Sequence, residues 1–154
     1  MPFSLKSSSF QNDQPIPPRY TADGDNLSPP LEWSEPPPGT QSFALIVEDP
    51  DAPSGMFRHW GVYNIPGARR TLPEGAGHGA RTEGMGQGVN DFGHPRYDGP
   101  APPRGHGVHH YHFRLLALDT ESLTQAPKMS IEDIKKAAQA HALATAELVG
   151  TYER

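Results

Sequence analysis

The chain contains no cysteine in its 154 residues, so disulfide bonds and thiolate chemistry are excluded. It also has no basic run, and its net charge of -5 argues against a nucleic-acid-binding surface. No stretch approaches the roughly 20 apolar residues of a membrane-spanning helix, and the N-terminus has no apolar signal core. We therefore expect a cytoplasmic protein without membrane insertion, folded as a single domain over residues 1–154.

Proline and glycine, in contrast, are abundant, with 18 and 16 copies between short apolar runs. Disordered chains lack such runs, so the pattern favours long, stiff loops on a β framework. Phe43–Val47 predicts a strand buried on both faces, and Trp60–Ile65 predicts the next strand. Weaker strand signals lie in Met1–Asn12 and in Leu31–Trp33.

The strongest strand signal is Val108–Leu118, where alternation places one set of side chains on a common face: His109, Tyr111, Phe113, Leu115 and Ala117. Further along, Ser130 and Asp133 match a capping box, which predicts a helix from Ile131 to about Val149. Gly150 would cap this helix, and His141 would lie on its apolar face in a structural role. Together these signals predict a mostly antiparallel β domain closed by a C-terminal helix.

Polar side chains suited to chemistry stand where the predicted strands begin and end. Asp49 and Asp51 follow the buried run, His59 precedes the next strand, and His109 and Tyr111 open the strongest one. The prolines beside the two aspartates restrict the backbone and so order this stretch in advance. Taken alone, the same stretch is equally well interpreted as a turn that only connects two strands.

Three interpretations of these residues compete. In an anion pocket, imidazole and phenol groups donate hydrogen bonds to phosphate oxygens, and Asp49 is tolerated because it pairs with His59 or His109. A zinc site or hydrolase would use the same groups, but their spacing matches no common zinc motif, GxSxG elbow or P-loop. A structural role, with every polar group satisfied in the core, is the simplest interpretation of each residue singly. Convergence from several segments favours the pocket.

An ordered set of short motifs resembles the phosphatidylethanolamine-binding protein family, in its short bacterial and archaeal branch. The matching segments are Asp23–Trp33, Asp49–Gly55, His59–Trp60, Tyr63–Gly67, Gly88–Gly93 and Tyr97–Asp119. The terminal AELVGTYER also fits the family's closing helix. The resemblance therefore covers nearly the whole chain.

The resemblance implies a mostly β fold of two β-sheets, the larger one antiparallel with Greek-key connections, and a C-terminal α-helix. It also implies a pocket at the sheet edge for phosphate, acetate-like anions or phosphorylethanolamine headgroups, with no metal and no cofactor. The ligand-binding positions that carry over are Asp49, Asp51, Pro53, His59, Pro103, Gly107, His109 and Tyr111. A further implication is that pocket occupancy regulates a kinase or protease, and the branch is compatible with a homodimer.

Some positions depart from the family pattern. Ala101 stands where cysteine is often found, His110 where arginine is frequent, and Arg96 where a small residue is common. The last two change the charge at the pocket rim and hence the partner. The main alternative function is a hydrolase or lyase that uses the cluster of Asp49, His59 and His109 for acid–base chemistry. A protein-inhibitor scaffold that acts through its loops alone is a third possibility.

Overall fold

The computed structural model describes residues 3–78, 85–123 and 129–154. These residues form nine strands and one α-helix, which follow in chain order: β1 Ser4–Lys6, β2 Gln14–Pro15, β3 Leu31–Ser34, β4 Ser42–Ala52, β5 Gly55–Pro66, β6 Thr71–Leu72, β7 Gly86–Gln87, β8 His109–Leu118, α1 Ile131–Gln139 and β9 Ala142–Tyr152. The helix in this part of the chain is not long and apolar enough to cross a membrane.

Two sheets make up the fold. The smaller has the order β1-β3-β6, and the larger has the order β2-β9-β8-β4-β5-β7. Pairing in the large sheet is antiparallel except at its edge, where β2 runs parallel to β9. The chain leaves β5 on one side of β4 and returns as β8 on the other side. The predicted fold class, mostly β with two sheets and one helix near the C-terminus, is confirmed.

Strand β4 occupies the centre of the large sheet, and both of its faces are covered. Phe43, Leu45 and Val47 belong to the core that also contains side chains of the small sheet. Ala44 and Ile46 belong to a second cluster, which the apolar face of α1 completes. The continuous apolar run therefore predicted this strand correctly, because only a strand with two buried faces needs apolar residues at every position.

Strand β8 confirms the predicted alternation. The five residues assigned to one face are buried in the core between the sheets or at its edge: His109, Tyr111, Phe113, Leu115 and Ala117. On the opposite face, Leu116 and Leu118 pack in the cluster under α1, whereas His110 is exposed. The alternation thus fixes which way His109 and Tyr111 point.

The predicted helix limits are wrong. Helix α1 has the predicted capping box of Ser130 and Asp133, but it ends at Gln139, and β9 occupies the rest of the predicted helix. Every register pair that β9 makes with β8, including Leu148 opposite Phe113, is a distant contact that local helix propensity does not contain. Alternate residues of β9 point into the core, so their burial repeats every two residues. The prediction of a helix for this alanine-rich segment did not take this strand period into account.

Two details of that prediction change with it. Gly150 is not a helix cap but a strand residue opposite Tyr111, where an added Cβ would collide with Ile16. His141 does not lie on an apolar helix face but is exposed, with its Nδ1 atom 2.9 Å from Oδ1 of Asp119. The glycine is therefore required by close packing between β9 and the chain around β2, not by a turn.

Candidate functional site

The cluster of polar side chains lies at one end of three neighbouring strands of the large sheet, β4, β5 and β8. The end of β4 lies beside the starts of β5 and β8, because β4 pairs antiparallel with both. Register shifts between Asp49 and Ala52 interrupt the ladder with β5. The backbone N–H of Asp51 donates to Oδ1 of Asp49 over 2.8 Å, which fixes the carboxylate locally. Irregular pairing of this kind re-aims side chains, and here it buries Asp49.

A cavity of about 250 Å³ opens at this end of the three strands. Its lining residues are Asp49, Ala52, Pro53, Ser54, Phe57, His59, Phe92, Ala101, Pro102, Pro103, His109 and Tyr111. Most of the sequence-predicted site residues are therefore brought together from three strands and two loops. The exceptions are Asp51 and Gly107, which are not among the lining residues.

Asp49 and His109 form a buried pair at the cavity. Nδ1 of His109 lies 2.7 Å from Oδ2 of Asp49, and both side chains are nearly inaccessible, with exposed fractions of 2% and 3%. An ionised carboxylate only accepts, so Nδ1 of His109 carries the hydrogen. This contact leaves Nε2 as the ring nitrogen of His109 that does not face Asp49, and the hydrogen bond compensates the burial of the carboxylate.

His59 is held separately from this pair. Its Nδ1 donates to the backbone carbonyl of Asp98 over 2.7 Å, which leaves Nε2 without a hydrogen in the neutral ring. Burial lowers the pKa of His59, and the nearby carboxylate of Asp49 only partly offsets this effect. The lowered pKa therefore keeps His59 neutral at pH 7, and a bound anion would favour its protonated form.

Tyr111 and two phenylalanines supply the aromatic wall. The ring of His59 contacts Tyr111, Phe57 and Phe92 edge-on or tilted, with centroid separations of 5.2, 5.0 and 5.7 Å. Burial raises the pKa of Tyr111, and Asp49 raises it further, so its hydroxyl keeps its proton. The wall is thus apolar except for the hydroxyl and imidazole groups, which strengthens any hydrogen bond made inside it.

A polar network behind the wall fixes the carbonyl that holds His59. Asn90 Nδ2 and His94 Nδ1 each lie 2.8 Å from Oδ2 of Asp98, and Arg96 contacts the other carboxylate oxygen at 3.3 Å. Burial would raise the pKa of Asp98, but these hydrogen bonds outweigh burial and lower it. The ionised Asp98 therefore orders residues 90–98 and, through its own carbonyl, orients the ring of His59.

Asp51 and Gly107 lie outside the cavity lining and have structural contacts instead. Both the backbone N–H and Nδ1 of His110 lie 2.8 Å from Oδ2 of Asp51, and these contacts lower the pKa of Asp51 against the opposing effect of burial. Asp51 therefore ties the hairpin of β4 and β5 to the start of β8. Gly107 has φ of +93°, a conformation suited to glycine, and so turns the chain into β8.

Sequence reasoning missed several residues of the site. Phe57 stands two positions before His59 in β5, so period-two alternation could have placed both on one face. Phe92, from the loop after β7, had no such signal. His106 had no assigned role, yet its Nδ1 lies 2.6 Å from Nε2 of His109. Within the described residues, no group of three or more acidic or histidine side chains is arranged to hold a metal ion.

Comparison with known proteins gives relatives over nearly the full length. The family model for the phosphatidylethanolamine-binding protein matches residues 6–153. A UPF0098 protein of Aquifex aeolicus is 47% identical over 148 residues, which are 96% of this chain and 86% of that protein. YbcL of Escherichia coli is 42% identical over 138 residues, covering 87% of this chain and 75% of YbcL.

Solved structures agree with these matches. The crystal structure of E. coli YbcL, described as a new member of the mammalian PEBP family, superposes with a TM-score of 0.93 at 36% identity, covering 99% of this chain and 98% of YbcL. A putative homologue from Chlamydia trachomatis, CT736, gives a TM-score of 0.87 at 38% identity, covering 99% and 97% of the two chains. This chain therefore belongs to the phosphatidylethanolamine-binding protein family.

Proposed function

We propose that the cavity binds a small anion or a phosphorylated headgroup, such as phosphate or phosphorylethanolamine. The observation that supports this most is the buried pair of Asp49 and His109 beside His59 and Tyr111 in one small cavity. A volume of about 250 Å³ is below the range of pockets for drug-sized ligands and suits a headgroup.

The electrostatics of the site favour an anion that brings a proton with it. His59 is neutral at pH 7 because burial lowers its pKa. An anion within hydrogen-bond distance favours the charged imidazole, so binding is accompanied by proton uptake. Affinity is therefore expected to rise as the pH falls towards the ordinary histidine pKa of 6.5. The hydroxyl of Tyr111 remains a donor throughout this range.

We also propose a regulatory role, which membership of the family supports. Occupancy of the cavity would alter its exposed lining, where Phe92 is 43% exposed, and so change the fit to a kinase or protease. Action in the cytoplasm and a homodimeric state remain predictions of this proposal. Inhibition that survives the loss of both His59 and His109 would instead support a scaffold that acts through its loops alone.

A hydrolase or lyase is the second candidate, and one observation favours it. The contact between Asp49 and His109 has the geometry by which a carboxylate orients a general base. His59 does not join that pair, because its Nδ1 is bound to the carbonyl of Asp98. Turnover of a phosphoester that disappears in His109→Ala would support the enzyme and count against a simple binding function.

The direct test is an NMR titration of the histidine side chains with phosphate and with phosphorylethanolamine at pH 6. Wild type, His109→Ala and His141→Ala are compared, since His141 also pairs with an aspartate but lies outside the cavity lining. We expect saturable shifts of His59 and His109 in wild type and in His141→Ala, and their loss in His109→Ala. No saturable shift at millimolar ligand would contradict the proposed binding function.

A further inference from the structure

His106 extends the buried pair to the protein surface. It lies in a turn in which its N–H donates to the carbonyl of Pro103, and it is exposed. Its Nδ1 is 2.6 Å from Nε2 of His109, whose Nδ1 in turn is 2.7 Å from Asp49. The three side chains thus form one hydrogen-bonded chain from a buried carboxylate to the solvent.

The positions of the hydrogens in this chain follow from what each atom can do. Asp49 only accepts, so His109 donates through Nδ1, and Nε2 of the neutral His109 ring can only accept. At 2.6 Å the facing nitrogen of His106 must then be the donor. While both rings are neutral, His109 therefore has no N–H left for a ligand, because one is bound to Asp49 and the other nitrogen is occupied.

We propose that His106 is a positioning residue of the anion site, which determines whether His109 can donate to a ligand. A proton from solvent adds to Nε2 of the exposed His106 ring, and the hydrogen on its Nδ1 passes to Nε2 of His109. The exposed His106 ring then turns away, so that the new N–H of His109 donates to the ligand instead of to Nδ1 of His106. His109 then carries hydrogens on both nitrogens, and the carboxylate of Asp49 balances its charge. This inference rests on the proposed function for its ligand, and it adds the residue and the proton that the ligand requires.

Other titratable and charged groups around His106 and His109 either favour or oppose the uptake of a proton. The titratable and charged groups that interact around His109 and Tyr111 are Asp49 and Asp51 from β4, His59 from β5, His110 from β8, Tyr152 from β9, and Arg154 after it. Asp49 and Asp51 favour proton uptake, whereas Arg154 opposes it; the carbonyl of Arg154 accepts from Gly105 in the same turn as His106. Proton uptake with a bound anion is therefore favoured by the acids and assisted by the anion.

The sign of the pH dependence is fixed by this mechanism. The form in which His106 and His109 carry the extra proton binds the anion, so affinity is expected to be highest at low pH and to fall as the pH rises. At higher pH, where the protein without ligand lacks this proton, affinity is expected to drop about tenfold per pH unit for one proton taken up with the anion. Sulfate is the suitable probe, because it keeps its charge between about pH 5 and 9, whereas a phosphate monoester titrates near pH 6.

The test has two readouts on wild type, His106→Ala and the control His141→Ala. In the ligand-free protein, the ring nitrogens are followed by NMR as the pH is raised. In wild type we expect His106 and His109 to titrate as a coupled pair, each ring reporting both steps. In His106→Ala we expect His109 to titrate in one step with its midpoint displaced by about half a pH unit or more, a threefold change in the proton equilibrium. The control should leave His109 unchanged.

The second readout is sulfate affinity between pH 5 and 9 in the same proteins, with urea unfolding to verify that each is folded. We expect the pH profile of His106→Ala to be displaced by the same amount as the titration of His109. Anion binding with identical pH profiles in wild type and His106→Ala would overturn the role of His106 alone. No binding of sulfate or phosphate to wild type at pH 5 would overturn the proposed function and this inference with it.

Discussion

The buried contact between Asp49 and His109 makes a quantitative prediction about stability. Removal of the imidazole in His109→Ala leaves a carboxylate that is 3% exposed without its partner. Removing one partner of a buried contact to an ionised group costs roughly 3–5 kcal/mol, because the remaining carboxylate loses the hydrogen bond that compensated its burial. In a domain of this size each kcal/mol lowers Tm by about 2–4 °C, so we expect a loss of roughly 6–20 °C. Calorimetry and urea unfolding at pH 7 measure both quantities.

A double-mutant cycle separates the pair from the cavity that alanine leaves. We expect the double variant Asp49→Asn with His109→Ala to be more stable than the sum of the single effects implies, by a coupling energy of about 1–3 kcal/mol. The control cycle uses Asp119 and His141, whose contact of 2.9 Å joins side chains that are 52% and 47% exposed. That exposed pair should couple by less than about 1 kcal/mol. Additivity within about 0.5 kcal/mol at the buried pair would refute the reasoning.

Three further predictions test the fold and the site. Gly150→Ala should lower the free energy of unfolding by about 1–3 kcal/mol in urea, because its methyl group collides with Ile16; unchanged stability would contradict this packing. Ser130→Ala should cost about 1 kcal/mol by the same assay, since it removes the acceptor for the N–H of Asp133, and a neutral effect would count against the cap. The lowered pKa of His59 means that the unfolded chain binds its proton first, so unfolding free energy should fall as the pH drops below 6.5. In urea titrations, the slope of the unfolding free energy against pH should be flatter in His59→Gln than in wild type. Added phosphate should restore the stability of the wild-type protein at low pH. An equally steep slope in the variant would exclude His59 as the cause.

Much of the scaffold was predictable because its signals are local. The apolar run of β4 and the alternation of β8 each state which faces are buried, and together they orient His109 and Tyr111. The prolines and aspartates at the end of β4 also indicated a stiff stretch at a strand end. The predicted buried faces agree with the structure because the pattern of apolar residues along a strand depends directly on which of its faces are buried.

The rest depends on contacts that no local pattern contains. Phe92 reaches the cavity from a loop that the network around Asp98 holds in place. Its ring packs against Phe57, and its backbone N–H donates to Oδ1 of Asn90. Whether Asp49 pairs with His59 or His109 was likewise left open, since either ring stands at a neighbouring strand end. The structure selects His109 because the carbonyl of Asp98 occupies Nδ1 of His59.

Strand β9 explains why the error in the helix limits matters for the site. A helix through this segment would leave β8 as an edge strand, with unpaired backbone groups beside His109 and Tyr111. In the structure, Tyr152 pairs with His109 and Gly150 pairs with Tyr111, so β9 holds the start of β8 beyond the point where the pairing with β4 ends. A donor aimed into a small cavity is useful only when its backbone cannot move away. Strand β9 is therefore part of what orients His109 and Tyr111, although none of its side chains lines the cavity within the described residues.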